Sequence, residues 1–85
     1  MTWTVRVAKS ARKQLATLPV KDHERIVAAL GGMADDPFSG DIVKLEGEGS
    51  RWRRRVGNYR IIFSVGIATR TVDVSAISRR TSSTY

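Results

Sequence analysis

Trp3, Val5 and Val7 alternate with Thr2, Thr4 and Arg6, the two-residue period of a strand with one face buried. From Ala8 the period lengthens. Ala8, Ala11, Leu15 and Leu18 recur at three- and four-residue steps, with Lys9, Arg12 and Lys13 on the other side. An amphipathic helix is therefore predicted up to Pro19. A second helix is predicted over 20–34, with Ile26, Val27, Leu30 and Met33 as its apolar face. Asp22 and Glu24 suit its positive end. Asp36-Pro37 stops it, and Phe38-Ser39-Gly40-Asp41 reads as a turn.

The rest of the pattern is that of strands. A short one is predicted over 41–45, followed by the polar loop Glu46-Gly47-Glu48-Gly49-Ser50. Residues 51–56 and 59–65 flank Gly57-Asn58, a two-residue hairpin turn. A last strand over 71–77 alternates Val72, Val74 and Ala76 against Thr71, Asp73 and Ser75. Leaving aside the short strand over 41–45, the order is β-α-α-β-β-β. It predicts one α+β domain over 1–85, with a helical hairpin packed on one face of a mainly antiparallel sheet. At 85 residues the core is thin, burying about 60–65% of the surface of the unfolded chain.

Composition narrows the class. There is no cysteine, no apolar run near the ~20 residues of a membrane span, and no apolar stretch like that of a signal peptide at the N-terminus. The expectation is a cytoplasmic protein without membrane contact. Charge is more informative. Fifteen Lys and Arg against eight Asp and Glu give a net +7. The first fifty residues are balanced, so the excess lies in residues 51–85, whose basic residues are all arginine. Arginine favours bidentate contacts to phosphate or carboxylate, so this asymmetry predicts an anionic partner.

A two-residue turn at Gly57-Asn58 sets Arg55 opposite Arg60, Arg53 opposite Ile62 and Trp52 opposite Phe63. Trp52, Val56, Tyr59, Ile61, Phe63 and Val65 then face the helices, and Arg51, Arg53, Arg55 and Arg60 share the open face. Arg54 falls on the apolar side of its strand. Like charges placed opposite each other destabilise a sheet, and an anion between them reverses the sign. The pattern fits an RNA backbone, a DNA backbone or an acidic protein segment equally well.

Other chemistry is sparse. His23 lies in the second helix near its apolar side and reads as a boundary or solvent-facing side chain, and one histidine without cysteine does not make a zinc site. Asp35-Asp36 reads as a helix end and Glu46 and Glu48 as a solvated loop. No phosphate-loop motif occurs. No metal or cofactor is expected. The tail, with Arg79, Arg80 and Tyr85, combines cations with an aromatic that can stack on a base or exchange a proton.

Taken together, these segments resemble the RelE-type toxins of the RelE/ParE toxin–antitoxin superfamily. The resemblance rests on the opening strand, Ala11-Arg12-Lys13-Gln14-Leu15-Ala16-Thr17-Leu18-Pro19 and Asp36-Pro37-Phe38-Ser39-Gly40. It rests above all on Trp52-Arg53-Arg54-Arg55-Val56-Gly57-Asn58-Tyr59-Arg60-Ile61-Ile62-Phe63, with Ile77-Ser78-Arg79-Arg80 and Tyr85 at the end. It implies a RelE-like fold, a cognate antitoxin that wraps the chain, and metal-free cleavage of mRNA in the A site of the 70S ribosome. It also implies operator DNA as a target of the toxin–antitoxin complex.

The resemblance carries catalytic roles to Arg53, Arg55, Arg60, Arg80 and Tyr85, with Arg79 competing for the place of Arg80. Arg51, Arg54, Arg79, Lys9, Arg12 and Lys13 are the expected RNA or ribosome contacts. The best-known RelE toxins carry lysines where Arg53 and Arg55 stand. A related branch uses a glutamate where this chain has Val43 and a histidine in the tail. Arginine stays protonated and cannot serve as a base, so proton transfer falls to Tyr85, with Arg80 as acid or charge stabiliser. The alternatives are a ParE-like inhibitor of DNA gyrase and a non-catalytic nucleic-acid-binding regulatory subunit.

Overall fold

The computed structural model describes residues 3–45 and 51–79. Their order is β1 (Thr4–Val7), α1 (Lys9–Ala16), α2 (Val20–Asp35), β2 (Ile42–Lys44), β3 (Arg51–Val56), β4 (Tyr59–Gly66) and β5 (Thr71–Arg79). The strands form one sheet in the order β1-β5-β4-β3-β2. β2–β3, β3–β4 and β4–β5 are antiparallel, and β1 runs parallel to β5. The α+β architecture expected from the hydrophobic pattern is thus the one found.

Local chemistry explains the boundaries. The Thr17 hydroxyl donates to the Gln14 carbonyl at 2.7 Å, and Pro19, in an extended conformation, caps the start of α2. At the far end of α2 the Asp36 carboxylate accepts from the Phe38 amide at 3.0 Å, closing the turn before Pro37 can continue the helix. Gly57 has φ +58, whereas Arg70 is the one described non-glycine residue with positive φ. A positive φ at the first turn position alone is the pattern of a type II′ hairpin turn, which asks for glycine there.

The core lies between the helices and one face of the sheet. Ile26, Ala29 and Met33 of α2 and Ala11 of α1 meet Tyr59, Ile61, Phe63, Val65, Val72, Val74 and Ile77. Val27, expected on the apolar face of α2, is instead 46% exposed. It follows Ile26 by ~100° around the helix, outside the arc that Ile26, Ala29 and Met33 share. Trp3, Phe38 and Trp52 extend the core in a chain of edge-to-face contacts, with ring centroids 6.1 and 5.4 Å apart.

The last strand corrects a second expectation. Ile62 pairs with Ala76 but Phe63 pairs with Val74, so Ser75 is an extra residue, a β-bulge. The bulge removes Ala76 from the core face and turns Ile77 into it. Ile77 then donates its amide to the Gln14 side chain of α1 at 2.8 Å. This bond satisfies a strand edge that β1, which pairs only as far as Val74, does not cover. No helix among the described residues is long and apolar enough to cross a membrane.

Candidate functional site

The register of β3 and β4 is the one that the two-residue turn predicts. Arg51 pairs with Ser64, Arg53 with Ile62, Arg55 with Arg60 and Val56 with Tyr59. Arg51, Arg53, Arg55 and Arg60 therefore project from the face that the helices leave uncovered. Val43 of β2 extends one row of that face, through Arg53 and Ile62 to Ala76. Arg53 is the one cation in that otherwise apolar row, and the next row towards the hairpin turn holds Arg55 and Arg60.

Not all of these cations are equivalent. Arg55 donates from Nε to the Asp41 carboxylate at 2.9 Å, and its amide bonds the Asp41 carbonyl at 2.9 Å. Asp41 went unnoticed in the sequence because it lies before β2, whose register against β3 no motif reveals. The pair offsets the repulsion between Arg55 and Arg60 and fixes one guanidinium. Arg53 and Arg60, both half-buried, form no ion pair or hydrogen bond among the described residues. At the other end of the same face, Arg6 grips Asp73 through two bonds of 2.7 and 3.0 Å. The bond and the charge of Asp73 raise the Arg6 pKa further. A shallow depression there is lined by Arg6, Ser64, Asp73 and Ser75, and its cation is already neutralised.

The remaining expected residues divide. Arg54 faces the helix side, with its guanidinium about 3.0 Å from where a Cβ on Gly40 would stand, and Gly40 has φ +85. Its Nε and Nη1 are buried without a hydrogen-bond partner. Arg79 pairs in register with Tyr59, so the bulge at Ser75 has carried it to the helix side and set Ser78 opposite Arg60. The structure therefore does not bring Arg54 or Arg79 together with Arg53 and Arg60. Lys9, Arg12 and Lys13 are exposed on α1, in the helix layer. Arg80, Tyr85, Glu46 and Glu48 lie outside the described residues.

On the helix side, the Tyr59 hydroxyl donates to Asp22 at 2.8 Å. That bond, then burial and the charge of Asp22, raise the phenol pKa, and nearby Arg79 opposes the rise. His23, within α2, is half-buried, as its place near the apolar side of the helix indicated. Among the described residues no group of three or more His, Asp or Glu side chains is placed to hold a metal ion. What the open face offers chemically is unneutralised guanidinium groups on a rigid sheet, a preorganised anion site.

No protein-family model and no curated protein sequence matches the chain. Solved structures do. The archaeal RelE–RelB complex from Pyrococcus horikoshii OT3 is 28% identical with a TM-score of 0.85, covering 98% of this chain and 100% of that one. The toxin–antitoxin complex RelBE2 from Mycobacterium tuberculosis is 26% identical at 0.82, covering 94% and 100%. The isolated RelE toxin of E. coli, 18% identical, shares the fold at 0.81 over 95% of this chain and 87% of that one. The chain has the fold of the RelE-type toxins, and the resemblance read from its sequence extends over nearly its whole length.

Proposed function

We propose that this chain, with its RelE-type toxin fold, is the toxin of a type II toxin–antitoxin pair and cuts translated mRNA in the ribosomal A site. One observation carries the reading. Arg53 and Arg60 stand half-buried and unneutralised among the described residues, on the uncovered face of a sheet of that fold. The solved toxin–antitoxin complexes of this fold support a cognate antitoxin for this chain. An acidic segment of that antitoxin would neutralise the same arginines. Operator DNA is then bound by the complex, chiefly through the antitoxin.

In this reading the 2′-hydroxyl of the mRNA attacks the adjacent phosphorus. A bond from the 2′-oxygen to phosphorus forms and the bond to the 5′-oxygen breaks, leaving a 2′,3′-cyclic phosphate and a 5′-hydroxyl. Arg53 and Arg60, with Arg55 held by Asp41 and Arg51 beside them, stabilise the added negative charge on the pentavalent phosphorus. Tyr85, as a phenolate whose pKa the neighbouring arginines lower, accepts the proton of the 2′-hydroxyl and passes it to the departing 5′-oxygen, while Arg80 stabilises the charge that builds there. The bulge turns Arg79 to the helix side, which favours Arg80 over Arg79 for the tail position in this reading. No metal takes part. Ile62 and Ala76, neighbours across β4 and β5, offer an apolar surface for a base beside Arg53 and Arg60. Lys9, Arg12 and Lys13 meet ribosomal RNA away from the cut, and Arg54, turned to the helix side, is not a contact.

Primer extension on a defined mRNA in a purified translation reaction tests this, with and without ribosomes. Cuts within translated codons that require ribosomes are expected. They should drop below detection within the reaction time in Arg60→Ala, a slowing of ~10²–10³-fold, and fall severely in Tyr85→Phe. Intact mRNA and unaffected translation would overturn the reading, and a supercoiling assay with gyrase would then test the ParE-like alternative.

A further inference from the structure

The arginines left unneutralised do not stop at the open face. Arg25, on α2, reaches over the β3–β4 turn, and its Nη1 lies 2.8 Å from where a Cβ on Gly57 would stand. A Cβ there would have to push the end of the Arg25 side chain aside, and it is the type II′ turn that asks for glycine at this place. Arg25 is exposed, and no ion pair or hydrogen bond holds it among the described residues. Asp22, one turn earlier, is occupied by the Tyr59 hydroxyl. Arg79, also exposed, pairs in register with Tyr59, and its charge is felt at that phenol.

Arg25 and Arg79 thus flank the end of the β3–β4 hairpin on the helix side, and Arg55 and Arg60 flank it on the open side. The exposed groups at this end are polar, Asn58 and Ser78 among them. Val20, a large exposed apolar residue of α2, lies roughly 140° around the helix from Arg25. A protein interface needs an apolar centre, whereas a nucleic-acid backbone needs only charge along its path.

We propose that Arg25 and Arg79 continue the phosphate-binding surface of Arg53 and Arg60 around the Gly57-Asn58 turn, so that an RNA strand leaving the open face crosses the hairpin end onto the helix side. The proposal rests on the RNA-binding reading above and adds two contacts that lie away from the reacting phosphate.

The test is the salt dependence of binding to single-stranded oligouridylate, read as the slope of log affinity against log salt. On a single strand, each phosphate that a cation no longer neutralises lowers that slope by about 0.7. Arg25→Gln and Arg79→Gln should each lower it by about that much, as Arg60→Gln does. Lys44→Gln, which removes an exposed charge on β2 beside Trp52, should leave it unchanged. A full slope in Arg25→Gln and Arg79→Gln, with the reduction confined to Arg60→Gln, overturns the extended path and spares the RNA reading. An equal reduction in Lys44→Gln overturns it in favour of bulk charge. Weaker binding to polyglutamate with oligouridylate binding kept overturns it in favour of a protein dock. Absence of salt-dependent binding by the unsubstituted protein overturns the RNA-binding reading and the extended path together.

Discussion

The β3–β4 hairpin has two faces built from the same two strands. One sends Tyr59, Ile61, Phe63 and Val65 into the core beneath the helices, and the other sends Arg53, Arg55 and Arg60 to the uncovered side. Alternation lets neighbouring residues serve opposite ends, so the buried face can supply stability that the charged face spends. Arg55 opposite Arg60 is an arrangement that burial elsewhere must offset, and Asp41 relieves only one of the two. The strain of a binding surface is here borne by side chains only one residue away along the strand.

Substitutions on the two faces should separate stability from activity. The largest effect is expected from Phe63→Ala, which empties the centre of the buried face. A loss of about 3–5 kcal/mol is expected from urea denaturation, enough to unfold much of so small a domain. A loss below ~1 kcal/mol would show that the core is not organised around this ring. Next comes Arg60→Ala on the other face. Removing one preorganised cation should slow cleavage ~10²–10³-fold, with stability unchanged to within ~0.5 kcal/mol. A matching fall in stability would mean that the faces are not independent.

Arg54 breaks the division, since it is a cation on the core side with two donors left unpaired. Arg54→Met should therefore keep stability within ~1 kcal/mol, on the favourable side, and leave RNA affinity as it was. Clear destabilisation would show that the guanidinium has a partner in solution. The smallest effect concerns pH. The bond to Asp22, with burial, holds the Tyr59 pKa above 10.0. The folded state then keeps that proton more firmly than the unfolded chain. The stabilisation is complete below about pH 10 and is lost as pH rises through the folded-state value. Tyr59→Phe should flatten this alkaline decline, seen in melting curves across that range.

Much of this was legible because a hairpin with a two-residue turn fixes its own register. Once Gly57-Asn58 is a turn, every pair from Arg51 to Val56 follows, and with it the face on which each arginine lies. What escaped depends on residues far apart in sequence. The bulge at Ser75 answers to the packing of Ile77 and the amide bond it gives to Gln14, and neither leaves a local mark. That single extra residue decided the side of Arg79. Val27 misled because a bulky aliphatic was given a place that the smaller Ala29 takes. Asp41 and Arg25 were hidden because their partners, Arg55 and Gly57, lie in other elements.

The parallel pairing of β1 with β5 has a consequence for how the chain is made. Thr4 meets Thr71 and Val7 meets Val74, so the first strand synthesised has its partner among the last. A ribosome delivers β1 early, and it must wait, unpaired, while both helices and three strands emerge. The sheet closes only once β5 is available, and such long-range closure is slow compared with helix or hairpin formation. The β3–β4 hairpin, closed by a local turn, can therefore assemble before the sheet is complete, and the folding chain passes through a stage with its arginine face formed and its core still open.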